Sequence, residues 1–150
     1  MPPVDATPKY FTVEDANRTL PLVRAIVEDI VRQFRVVNDL GTRLNSLAPP
    51  GRGKRPADDL YAEERAASES ELEAEQARLD EYVAELRGLG VDLKGPDGLC
   101  DFPSLHEGRE IYLCWRLGEP AVSHWHEVHT GFMGRQPISE LEAGEQVGPR

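Results

Sequence analysis

The chain has 150 residues, a formal net charge of −10 and two cysteines. That length fits one domain able to bury roughly two-thirds of its unfolded surface, and two thiols cannot supply a disulfide framework, which points to a reducing compartment. The acidic balance excludes nucleic acid and anionic membranes as nonspecific partners, because both need clustered Lys and Arg to displace counterions.

Met1 to Phe11 holds three prolines and no apolar h-region, so it does not read as a signal peptide. The longest apolar run, Ile111 to Trp115, is far too short for a bilayer, and the expected location is cytoplasmic. The expected fold is α+β within a single domain over 1–150: a long antiparallel helical hairpin packed on a small three- to four-stranded antiparallel sheet.

In chain order, Thr12-Val13-Glu14-Asp15 places a threonine three residues before a carboxylate, the pattern of a capping box, and predicts a short helix within 10–20. Pro21 breaks that helix in this reading and suits the first position of a longer one over 21–48. Val23, Val27, Ile30, Phe34, Val37 and Leu44 then fall on heptad a and d positions with Gly41 as the one gap, predicting a packed seam. Pro49 to Pro56, with three prolines and two glycines, predicts the hairpin tip. Asp58-Asp59 opens a second helix over 58–88, in which Leu72, Leu79 and Leu86 recur every seven residues, Val83 lies between them, and Gly88 and Gly90 supply an end. Its early part, through Ala66 and Ala67, has few large apolar residues and is expected to fray or to lean on a partner. Asp58 to Arg87 carries eleven acids and three arginines, whereas Arg18 to Arg43 carries five arginines and three acids. Opposite charge thus favours pairing of the two helices, although exposed ion pairs are worth only ~0.2–1 kcal/mol each.

After Gly90 the period falls to two. Turn residues separate four candidate strands within 91–129: Val91–Lys94, Leu99–Phe102, Arg109–Leu117 and Ala121–His129. A flexible tail is expected over 138–150. A two-residue turn at Gly118-Glu119 would set Leu113 opposite His124 and Ile111 opposite His126. Ile111, Leu113, Trp115, Val122, His124, His126 and Val128 would then share the face under the helices, and Tyr112, Cys114, Arg116, Ser123, Trp125, Glu127 and His129 the other. A slip of one residue would reverse that assignment.

His124-Trp125-His126 on a strand puts two imidazoles on one face, close enough to chelate one ion, with Asp101, Glu127 or His129 as a third ligand. His126-Glu127-Val128-His129 has the wrong spacing for a zincin helix. The plain alternative is a pair of neutral histidines hydrogen-bonded beside the core. Trp115 and Trp125 read first as core aromatics and second as a binding platform. Arg116 and Arg135 could clamp an anion, or pair with Glu127 or Glu110. Gly131 to Arg135 could be an anion-binding turn or a tight turn with Phe132 plugging the sheet. Cys114 beside a histidine raises a nucleophile reading that nothing in the sequence supports.

Tyr10 to Asn17 with Leu20-Pro21, Leu93-Lys94-Gly95, Asp101-Phe102-Pro103, Tyr112 to Arg116 with Gly118-Glu119, and Trp125-His126-Glu127 through Gly131-Phe132 and Gly134-Arg135 together resemble the domain of unknown function 2203 family of bacterial proteins. The resemblance runs from Tyr10 to Pro137 and implies no established activity. Its pattern takes in Trp125, His126, Gly131, Phe132, Gly134 and Arg135 and does not require His124 or His129. That shifts the expected site toward His126 with Asp101, Glu127 or Arg135.

Three functions follow. One is a metal- or small-anion-binding site around His126, taking a divalent transition metal such as zinc or iron as cofactor, with Trp125, Arg116 and Arg135 as ligand-binding residues. Another is an interaction module whose acidic helical hairpin makes a homodimer or binds a protein partner. The third is a small enzyme with His126 as general base, since imidazole titrates near neutrality.

Overall fold

The computed structural model describes residues 9–47, 60–139 and 141. The expected tip at Pro49 to Pro56, the helix start at Asp58-Asp59 and nearly all of the expected tail lie outside these residues. Two helices, α1 (Val13–Asn45) and α2 (Ala62–Gly88), precede an antiparallel sheet of five strands: β1 (Asp92–Leu93), β2 (Leu99–His106), β3 (Arg109–Arg116), β4 (His124–Glu127) and β5 (Gln136–Pro137). The strands neighbour one another in sequence order. No helix among the described residues is long and apolar enough to cross a membrane.

Thr12 caps α1 as its spacing implies: its Oγ1 accepts from the Asp15 N–H at 2.9 Å, and its own N–H donates to the Asp15 carboxylate. The break expected at Pro21 does not occur, and α1 runs unbroken for 33 residues. A proline inside a helix costs roughly 3 kcal/mol through one lost N–H and a clash with the carbonyl four residues back. Ala16, Leu20, Val23 and Val27 are buried on either side of it, and burial of each large side chain returns about 1.5–3 kcal/mol, so packing carries the helix through.

The first half of α1, with Leu79 and Leu86 of α2, packs on Cys100, Phe102, Ile111, Leu113, Trp115 and Trp125 of the sheet. Farther out the helices are tied by Gln33, whose Nε2 donates to the backbone carbonyl of Glu75 at 2.9 Å and to its carboxylate at 2.6 Å. Phe34, expected in the seam, is 39% exposed, because α1 extends past the end of the sheet.

β2 is longer than expected and runs through Pro103. The Pro103 carbonyl accepts from the Phe11 N–H at 2.7 Å, so the side of Pro103 that lacks an N–H faces the N-terminal segment and costs no bond to β3. Phe11 meets Phe102 edge to face, with centroids 5.2 Å apart. The expected tail starts inside the fold: Ile138 is buried, and its N–H donates to the Ser123 carbonyl at 2.9 Å.

The β3–β4 register is one residue away from the expected one. Ile111 stands opposite Glu127, Tyr112 opposite His126, Leu113 opposite Trp125 and Cys114 opposite His124. The connection is not a two-residue turn, since β4 starts only at His124. Before it, Asn17 of α1 grips the Val122 backbone from both sides: its Oδ1 accepts from the Val122 N–H at 2.8 Å, and its Nδ2 donates to the Val122 carbonyl at 3.2 Å. Because side chains alternate along a strand, this register turns His124 and His126 away from the helices and puts Trp125 in the core.

Asn17→Ala removes both bonds. We expect it to lower the unfolding free energy in a urea titration by about 1–3 kcal/mol, and an unchanged midpoint would show that Val122 is held without the clamp.

Candidate functional site

On the face turned from the helices, Asp101 of β2, Cys114 of β3 and His126 of β4 lie side by side. They occupy adjacent strands because Asp101 pairs with Cys114 and Tyr112 with His126. One ligand atom from each lies within 4.8 Å of the other two, and all three residues are buried. The Gly131–Gly134 3-10 turn packs against β4, and the Tyr112 ring lies beside His126 with centroids 5.5 Å apart. Gly134 passes so close to Thr130 that any Cβ there would collide with it, which accounts for the second glycine of the Gly131 to Arg135 stretch.

The proton positions follow from chemistry. His126 Nδ1 stands 2.7 Å from the Glu127 carbonyl oxygen; a carbonyl can only accept, so Nδ1 carries a proton. Nε2 then faces Asp101 Oδ1 at 3.0 Å. Without a cation between them, that contact requires a further proton: the ring is an imidazolium donating to a carboxylate, or a carboxylic acid donates to the neutral ring. Burial pushes the Cys114 thiol up to about 11 despite the nearby Arg135, and it pushes Cys100, on the helix side, up to about 12. Neither thiol is poised as a nucleophile. Asp101, His126 and Cys114 are the residue types of a Cys–His–Asp triad, but both imidazole nitrogens are engaged elsewhere and leave none to take the thiol proton.

The other expected site residues are dispersed. His124 shares the face with Cys114, but its Nδ1 is 3.1 Å from the Ser123 hydroxyl. Glu127 lies on the opposite side of β4, where its carboxylate meets Arg109 at 3.3 Å; only its carbonyl touches His126. His129 is exposed beyond the end of β4. Trp125 is a core residue, 6% exposed and facing away from His126. Arg116 and Arg135 do come together at the Phe132 ring, their guanidinium carbons 4.6 and 5.0 Å from its centroid. Their charge is met locally, by Asp97 at 3.2 Å from Arg116 and by Glu119 at 2.6 Å from Arg135. Phe132 is thus half-buried and in contact with both guanidiniums.

The residue that the sequence reading missed as a ligand is Cys114. A one-residue slip in register put it on the opposite face from His126, and no local pattern signals the slip, because the link from Leu117 to Ser123 is seven residues long in place of the expected two-residue turn.

A family model described as an uncharacterized conserved protein (DUF2203) matches residues 9–138, a span that contains Asp101, Cys114 and His126. No curated protein and no solved structure matches the chain.

Glu119 tests the frame around the site. Burial opposes its ionisation, but the Arg135 guanidinium and the Arg116 N–H outweigh burial and hold its carboxyl below the usual range. A depressed carboxyl stabilises the fold above its unfolded value of roughly 4.5, and that contribution disappears as pH falls through the folded value. Glu119→Gln should cost about 1.5–3 kcal/mol at pH 7 and progressively less below pH 4.5, read by denaturant titration at each pH. A difference that stays constant down to pH 3 would contradict the pairing.

Proposed function

The chain belongs to the DUF2203 family, and we propose that this member binds a divalent transition metal, zinc or iron(II), through Asp101, Cys114 and His126. The observation that carries the proposal is the convergence of three donors from three adjacent strands within 4.8 Å in the buried interior. Four further features support it.

The first is the tautomer. Histidine ligands of metals typically donate their second nitrogen to a carbonyl or carboxylate, which fixes the lone pair on the other; the Glu127 carbonyl does this for His126. Next comes charge, since a dication with one carboxylate, one thiolate and one neutral imidazole is neutral overall, the condition under which a buried ion is tolerated. Donor type also counts, because a thiolate with an imidazole selects zinc or iron over magnesium or calcium. The last is spacing: ligand atoms on a tetrahedral zinc lie 2.0–2.3 Å from the metal, and side-chain rotation can draw a group spread over 4.8 Å onto it.

The metal would join β2, β3 and β4 at a point where the unloaded chain depends on a shared proton. Three protein ligands leave a tetrahedral ion one further position. His126 is 2% exposed and has both nitrogens occupied, so the general-base alternative gains nothing from this geometry.

Protein purified without a metal-affinity tag should carry close to one equivalent of zinc or iron by elemental analysis. Stripped protein should gain about 2.7 kcal/mol at a metal concentration 100 times Kd, read as a thermal shift of roughly 5–10 °C, and Cys114→Ser or His126→Ala should abolish the shift. A metal-free protein indifferent to added zinc and iron(II) would end the proposal.

Binding must also displace the Cys114 thiol proton. With that thiol at about 11, zinc affinity should rise at least tenfold per pH unit between pH 6 and 8, as measured by competition with a chromophoric chelator. A flat profile would mean that Cys114 is not a ligand.

A further inference from the structure

The stripe of α1 that packs on the sheet continues where the sheet ends. Leu20, Val27, Phe34 and Gly41 recur at seven-residue spacing and so stay on one side of the helix, drifting by only ~20° per repeat. Leu20 and Val27 are buried, and Val27 and Val31 meet the turn at Gly98. Beyond Val31 the described residues cover the stripe only in part. Phe34 is 39% exposed, and apart from the adjoining helix backbone no atom of the described residues lies within 4 Å of where a Cβ on Gly41 would stand. From Val31 to Asn45 the hairpin overhangs the sheet by about 21 Å at ~1.5 Å per residue.

The underside of this overhang is a groove of about 770 Å³, floored by Phe34, Val37, Gly41, Leu44 and Leu72. Its two walls differ in charge: Glu73 and Asp80 line the α2 side, whereas Asn38 and Thr42 line the α1 side. Behind the acidic wall, α2 carries nine acids and three arginines. Gly41 adds an independent indication. Glycine is the poorest non-proline helix former, it stands inside a 33-residue helix, and among the described residues no neighbour needs the space it leaves.

We infer that the groove receives an amphipathic helix of a partner protein, its apolar stripe over Phe34, Gly41 and Leu72 and its Lys or Arg side chains along Glu73 and Asp80. Helix-in-groove recognition works through such apolar anchors at helical spacing, and the acidic wall selects basic flanks and speeds encounter. A second copy of this chain fits less well. The sheet occupies the underside of the first half of each hairpin, so two copies can meet groove to groove only with the hairpins antiparallel. That two-fold lays α2 on α2 and sets Glu73 and Asp80 against their own counterparts.

The probe is a synthetic 18-residue peptide of leucine and lysine at helical spacing, compared with its leucine and glutamate counterpart, using fluorescence anisotropy on the full chain. The lysine peptide should bind at least tenfold more tightly than the glutamate peptide. Gly41→Leu, which fills the groove without changing charge and has room to fold, should weaken that binding at least tenfold, and Glu73→Lys with Asp80→Lys should do the same. Equal binding by wild type and Gly41→Leu would show attraction to the acidic surface at large and overturn the inference. So would a dimer seen by light scattering that Gly41→Leu dissociates, because the occupant would then be a second copy.

Discussion

A carbonyl oxygen accepts hydrogen bonds and never donates them, and that limitation governs the chemistry of this molecule. The 2.7 Å contact between the Glu127 carbonyl and His126 Nδ1 fixes one proton and turns the remaining nitrogen toward Asp101 at 3.0 Å. Two lone pairs cannot face each other in a dry interior without a positive centre between them. A proton or a metal ion satisfies that demand, and under the proposed reading the Cys114 sulfur, close to both groups, would be the metal's third donor. The alternative occupants differ in charge: a shared proton leaves Cys114 a neutral thiol, whereas a dication requires the thiolate.

The register of β3 on β4 makes that contact possible. With Tyr112 opposite His126, one face of the sheet becomes an apolar floor for the helices and the other gathers Asp101, Cys114 and His126. The register is fixed by Asn17 holding the Val122 backbone across 105 positions of sequence and by Glu119 receiving both the Arg116 N–H and Arg135. Such long-range ties are invisible to a reading of local periodicity. The switch from seven-residue to two-residue spacing near Gly90, the capping box at Thr12 and the leucine repeat of α2 were all legible, because each is a local pattern whose cause lies within a few residues.

Where local rules misled, packing had the larger magnitude. Pro21 weakens a helix in isolation, yet the residues around it are buried deeply enough to keep α1 continuous. Pro103 reads as a strand breaker, yet its missing N–H falls on the edge where Phe11 approaches rather than on the β3 ladder. His126 and Asp101 were legible as site residues from their types and the strand pattern. Cys114 was not, since a shift of one position carries a side chain through the sheet. Phe34 obeys its heptad but not the burial that a heptad implies, because the stripe outruns the sheet meant to cover it.

The most direct measurement of the central claim is X-ray absorption at the zinc edge of the stripped protein given one equivalent of zinc. A site built by Asp101, Cys114 and His126 gives one sulfur neighbour at about 2.3 Å and nitrogen or oxygen neighbours at about 2.0–2.2 Å, and the sulfur shell vanishes in Cys114→Ser. A first shell of nitrogen and oxygen alone in the unaltered protein would contradict the account.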